Sequence, residues 1–217
     1  MANTALAQFA SPGWQTRPEP VLLPSGISGL QLPRGSLTEI YGPASSGRTS
    51  LLMAILTAAT ARQEICALVD AEDAFDPTSA ADAGVALDRL IWIRSAHNAE
   101  HALKATDLLI QGGGFGLVAL DLGDTPPSTA RRISLTSWFR LRRAVEHTPT
   151  VLISLSLQPN AKTCASLLIE CRRESTAWPG AGPGRLLRGI AVRATSTERS
   201  KVCSPAYTAQ ASWAQAI

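Results

Sequence analysis

Gly42-Pro43-Ala44-Ser45-Ser46-Gly47-Arg48-Thr49-Ser50 is the stretch whose reading decides the fold. It has the spacing of a phosphate-binding loop, with Gly42, Gly47 and Thr49 in place and Arg48 where lysine is usual. Two glycines let the main chain curl through conformations that other residues avoid. The N–H groups then converge, and the following helix turns its positive end toward an anion. The flanks agree with this. Ser36 to Tyr41 reads as a short strand and Leu51 to Ala59 as a helix, the setting the loop requires.

The chain has 217 residues, 45% of them apolar and 17% charged, which suits one globular domain with an extension. No apolar run reaches about 18 residues, so no membrane span is expected. Met1 to Pro20 lacks the basic start and apolar core of a signal peptide. Cys66, Cys164, Cys171 and Cys203 form no C-x-x-C pair and read as reduced thiols in a cytosolic setting. Residues 1–129 carry a net charge of −6 and residues 130–217 a net charge of +9. Such halves point to an acidic partner, to head-to-tail contact, or to neutralisation within one fold.

Outward from the loop, the chain divides into an extended arm (1–32), a core (33–203) and a loose tail (204–217). Ile65 to Asp70 and Leu117 to Leu122 are continuous apolar runs that end at or beside a carboxylate, as buried parallel strands do. Leu90 to Arg94 and Thr150 to Leu155 are two further strands. Helices are expected over Thr78–Ala83, from the cap Asn98 to Gln111, and over Arg131–His147, where Leu135, Trp138, Phe139 and Leu141 would share a face. Ala165–Arg173 and Gly189–Thr195, joined by the Gly/Pro-rich turn at 179–184, read as a hairpin at the sheet edge. The alternation predicts an α/β fold, mainly a parallel sheet flanked by helices, with ligand at the carboxyl ends of the strands.

Nucleotide hydrolysis needs a metal, a carboxylate that orders it and a group that positions water. Thr49 and Asp121 are the candidate metal residues, and Glu72 is the candidate for water. Each carboxylate alone reads equally well as an ordinary strand end.

These segments resemble the RecA family. The likeness rests on Glu39 to Gly47, on Val69 to Pro77 with Glu72 at the catalytic glutamate, and on Val118 to Asp121 at the magnesium-site strand. It implies a RecA-like P-loop ATPase core with ATP and Mg2+ as cofactors. Gly42, Pro43, Ala44, Ser45, Ser46, Gly47, Arg48, Thr49, Ser50 and Asp76 would then contact the nucleotide, and Arg199 and Lys201 would match residues that reach a neighbour's ATP. The departures are specific. Arg48 replaces the loop lysine, Ser79 the adenine-stacking tyrosine, and Ser156 the γ-phosphate-sensing glutamine, with Gln158 as a shifted stand-in. The two DNA-contacting loops are represented by Gly123–Thr129 and Pro159–Thr163, both altered, and the helical N-terminal domain has no counterpart.

A shortened relative of this kind resembles the ImuA group, and Leu32 to Ile40 is similar to that group's approach to the loop. That likeness implies a cytoplasmic, nucleoid-associated accessory factor of damage-induced (SOS) translesion synthesis, partnered by a translesion polymerase homologue. ATP would bind, with hydrolysis weak or absent because of Arg48. The alternative is an active DNA-dependent ATPase that forms filaments on single-stranded DNA. Any DNA contact is expected from Arg131, Arg132, Arg140, Arg142 and Arg143. Trp178 and Trp213 are candidate partner anchors, and Trp14 an anchor of the arm.

Overall fold

The structure is a computed structural model, which describes residues 21–179, 187–198, 201–203 and 206–210; residues 198, 201–203 and 206–210 are described as backbone. Arg199, Trp14, Trp213 and most of the turn expected at 179–184 lie outside the described residues.

The central sheet has the order β10-β9-β8-β3-β7-β6-β4-β5, with β11 also on β9. Its parallel part comprises β3 (Ser36–Tyr41), β4 (Cys66–Asp70), β5 (Leu90–Arg94), β6 (Leu117–Leu122) and β7 (Val151–Ser156), and β8 (Leu167–Ala177) joins β3 in parallel. β9 (Gly189–Glu198) then runs antiparallel to β8 as the expected hairpin. β10 (Lys201–Cys203) and β11 (Ala206–Gln210) both pair with β9. Part of the stretch expected as a loose tail is therefore a strand of the sheet.

Period-two alternation sorts the strands' side chains onto two faces. Cys66, Leu68, Leu117, Ala119, Val151, Ile153 and Leu155 meet Leu51, Leu52, Ile55 and Leu56 of α1 (Arg48–Ala61). On the opposite face Ala67, Val69, Val118, Leu120 and Leu152 share a core with Ala102, Leu103 and Ile110 of α3 (Ala99–Gly112) and with Trp138, Leu141 and Val145 of α5 (Leu135–Val145). The remaining helices are short: α2 (Pro77–Asp82) and α4 (Pro127–Ala130).

Two sequence expectations are corrected. The arm is not structureless where it is described: β1 (Leu22–Pro24) pairs with β2 (Gln31–Pro33), and Leu23, Leu30 and Leu32 are buried in the α1-side core. The Ser25 hydroxyl donates to the Leu30 carbonyl at 2.7 Å and closes the turn that presents them. The helix expected over 131–147 is two helices. Pro127 opens α4, and a new cap at Ser134, accepting from the Ser137 N–H, starts α5. Arg131 and Arg132 thus lie between helices. Trp138 and Leu141 face inward as expected, whereas Leu135 and Phe139 are exposed.

Candidate functional site

Parallel register carries the chemistry to one end of the sheet. Tyr41 lies opposite Ser156, Asp70 opposite both Asp121 and Arg94, and Asp121 opposite Leu155. The loops after β3, β4, β5, β6 and β7 therefore share one rim.

Gly42 to Ser50 forms the turn between β3 and α1. The Gly42 N–H donates to the Ser156 carbonyl at 3.2 Å, which ties the loop to β7. A Cβ at Gly42 would lie 2.5 Å from both the Cys171 carbonyl oxygen and the Ser46 Oγ, so only glycine fits there. Ser45 and Gly47 take the left-handed region, with φ of 59° and 87°. Gly47 caps α1 without a side chain, so no cap side chain accepts from the first-turn N–H groups. The buried Ser46 Oγ also has no partner among the described residues. These donors fit an anion at the positive end of a 14-residue helix. Pro43, Ala44 and Ser45 lie exposed on the loop's outer face, and Thr49 is exposed beyond it. That outer face, with Ser46, Glu170, Arg172 and Arg173, lines a cavity of about 410 Å³.

Arg48 turns inward. It is 6% exposed. Its guanidinium donates to the Gly42 carbonyl at 2.8 Å and, through the other terminal nitrogen, to the Gly123 carbonyl at 2.7 Å and Asp124 Oδ1 at 3.1 Å. Asp121 sits beside it, with Oδ1 accepting the Gly123 N–H at 2.7 Å. Burial pushes the Asp121 carboxyl up to about 6; Asp70 and Asp124 add to the rise, and the Gly123 N–H and Arg48 oppose it.

Glu72 follows β4, and both its oxygens are engaged. Oε1 accepts the Thr125 hydroxyl at 2.9 Å and Oε2 lies 2.9 Å from His97 Nδ1. That contact raises the His97 pKa above its ordinary value. Beneath them the buried Asp70 accepts the N–H groups of Glu72, Ala74 and Phe75 and the Trp92 indole N–H. Asp76 caps α2, accepting from the Thr78 and Ser79 N–H groups and the Ser79 hydroxyl. Ser156 is buried and its hydroxyl donates to the Gln158 carbonyl.

The structure thus brings Gly42–Ser50, Glu72 and Asp121 to one rim, with Asp76 as a helix cap nearby in sequence. Of Lys201 only the backbone, in β10, is described. Thr125, His97, Gly123 and Asp124 belong to the same rim; the sequence offers Gly123–Thr125 only as part of the altered DNA-contacting loop, and His97 only as a place just past a strand end. Of the basic residues, Arg140 pairs with Asp107 and Arg142 with Glu146, while Arg131 donates to the Pro127 carbonyl. Arg132 and Arg143 are exposed, with no ion pair among the described residues.

This is the rim of a P-loop α/β domain, and comparison with known proteins narrows it. Residues 21–125 match the RecA N-terminal domain family. The chain is 34% identical over 145 residues to the RecA protein of Rhizobium leguminosarum bv. viciae, covering 60% of this chain and 40% of that protein. To the RecA protein of Deinococcus radiodurans it is 33% identical over 145 residues, covering 60% and 39%. A shorter match, 40% over 96 residues, joins it to the RecA protein of Psychrobacter cryohalolentis, covering 44% and 26%. Over these residues, and in its fold, the chain resembles RecA-family proteins. The chain spans about two fifths of the length of the first two relatives. Among the described residues no helix is long and apolar enough to cross a membrane.

Proposed function

We propose that the chain is a RecA-like accessory protein of DNA repair that binds Mg–ATP weakly and serves damage-induced translesion synthesis without strand exchange. One observation carries this reading: the backbone cradle is intact while the side chains that would drive turnover are bonded to the chain itself. Gly42 to Ser50 would hold the phosphates, and Thr49 and Asp121 the magnesium. When bound, Mg–ATP would supply an electrophilic phosphoryl group and a metal that neutralises its charge. The residues present do little to exploit it. Arg48 has its terminal nitrogens on three chain oxygens, and arginine's wide fork does not reproduce the compact charge of lysine. Glu72, whose role would be to orient water, has Thr125 and His97 on its two oxygens. Ser79, in place of a stacking aromatic, bonds Asp76.

Arg132 and Arg143 are the basic residues of 131–143 left for phosphate contact, so DNA binding is weak, sequence-independent and salt-sensitive. A protein partner is the main ligand. The opposite charges of the two parts of the chain favour head-to-tail steering toward another protein, and the resemblance of Leu32–Ile40 to the ImuA group favours a translesion polymerase homologue. Trp178, about half exposed, is available as an anchor. An ATPase assay with and without single-stranded DNA, paired with electron microscopy, tests the proposal. Negligible, DNA-independent turnover and no regular filaments are expected. DNA-stimulated hydrolysis with helical filaments would restore the recombinase reading.

A further inference from the structure

Four loops far apart in sequence are joined across the rim by polar contacts and by the short turn at 122–125. It begins at the Gly42 carbonyl in the phosphate loop and passes through the Arg48 guanidinium to the Gly123 carbonyl and Asp124 after β6. The Thr125 N–H returns to the Leu122 carbonyl within that loop. The Thr125 hydroxyl then reaches Glu72 after β4, and Glu72 reaches His97 after β5. Only a forked donor can make the first link, because its acceptors lie on two different strands' loops. A lysine ammonium is a single point and cannot span them in the same way. Gly123 is fitted to the fork: a Cβ there would stand 3.2 Å from Arg48 Nε and 2.8 Å from Asp121 Oδ1.

We propose that Arg48 is a strap which, without nucleotide, ties the phosphate loop to the loop at 123–125 and through it fixes Glu72, and that phosphate settles fully only by drawing Arg48 off that loop. The proposal rests on the nucleotide-binding reading above for its second half alone. The strap is strong enough to hold and incomplete enough to yield. Its terminal nitrogens have three acceptors: two buried main-chain carbonyls, where polar contacts are poorly replaced by water, and the largely exposed Asp124. Its Nε–H is buried without an acceptor among the described residues, as is the Ser46 Oγ on the same turn. An arriving phosphate offers oxygens to these unsatisfied groups and to the uncapped start of α1, and competes for the donors now given to Gly123 and Asp124. Release of Gly123 and Asp124 would loosen Thr125 and so free one oxygen of Glu72. The strap would thus account in one device for the weak nucleotide affinity proposed above and for the contacts that hold Glu72.

Amide hydrogen exchange of the full chain, followed at residues 122–125 and 72–76, tests this. Wild type, Arg48→Ala, Arg48→Lys and Asp124→Asn are compared with and without Mg–ATP. Without nucleotide, Arg48→Ala should exchange at least about tenfold faster than wild type at 122–125, and Asp124→Asn by a smaller factor. Mg–ATP at a concentration that calorimetry shows to be bound should speed exchange there in wild type and leave Arg48→Ala unchanged. Arg48→Lys should bind Mg–ATP more tightly by about tenfold. Wild-type protection of 122–125 in Arg48→Ala overturns the strap, as does bound Mg–ATP that leaves wild-type exchange unaltered. If wild type and Arg48→Lys both fail to bind Mg–ATP, the nucleotide reading falls and so does the strap's release, while the nucleotide-free comparison still decides the tie. If Arg48→Ala does not fold, Arg48→Lys decides alone, because its single ammonium lacks the fork that reaches Gly42, Gly123 and Asp124: faster nucleotide-free exchange at 122–125 supports the tie and unchanged exchange overturns it.

Discussion

The two sides of the rim are built in opposite ways. On the β3 side the loop from Gly42 to Thr49 offers mainly main-chain groups to a ligand: α1 starts with no side-chain cap, and the Ser46 hydroxyl has no partner among the described residues. On the β4–β6 side the groups are side chains, and they are taken. Asp70 has four donors, Glu72 two contacts, and Asp121 the Gly123 N–H with Arg48 beside it. Backbone geometry can persist once a few glycines and a helix are in place. Catalytic competence depends on side chains left free to meet substrate, and here they meet each other. The proposed function, binding without turnover, rests on this contrast.

The largest effect is expected from breaking the saturated side at its base. Asp70→Ala leaves three N–H groups and the Trp92 indole N–H without their acceptor in a buried place. Stability should fall by about 3 kcal/mol or more, read from denaturant unfolding. A loss below about 1 kcal/mol would mean that water replaces the carboxylate and that this side is not held from beneath. Next comes Gly42→Ala on the open side. A methyl 2.5 Å from the Cys171 carbonyl oxygen must push the loop off β8, costing about 2–3 kcal/mol and abolishing Mg–ATP binding. Wild-type stability and binding in that variant would show that the cradle is looser than described.

A smaller effect sharpens the contrast by pH. Asp121 is held at about 6, above the ordinary carboxylate range, mainly by burial. Its protonated form is therefore the one the fold prefers. Its contribution is fully present below about pH 4 and is lost as pH rises through about 6. Over that window the wild-type chain should lose on the order of 1–2 kcal/mol relative to Asp121→Asn, which cannot ionise. Parallel pH profiles for the two chains would mean that Asp121 is better hydrated than its place at the end of β6 implies.

The open side was legible in the sequence and the saturated side was not, for a physical reason. Two glycines, a hydroxyl residue and flanking apolar runs are local signals, and they placed β3, the loop and α1 within a few residues. The apolar runs likewise placed Asp70 and Asp121 at the end of a strand. The contacts that occupy the side chains are set by the fold. Arg48 and Asp124 are separated by 76 positions, Glu72 and Thr125 by 53, and Glu72 and His97 by 25. Nothing in the local pattern around Thr125 or His97 announces these meetings. The same limit hid the burial of Leu23, Leu30 and Leu32, whose surroundings are full of turn residues, and the strand at Ala206–Gln210, whose only support is β9. The break before α5 was locally encoded in Pro126-Pro127 and Ser134, but the apolar spacing of 135–141 outweighed it in the reading.

Isothermal calorimetry of the folded wild-type chain with ATP, with and without magnesium, is the most direct test of the proposal that the Gly42–Thr49 loop binds nucleotide. Weak, saturable heat that depends on magnesium is predicted; no heat from a folded sample would contradict it.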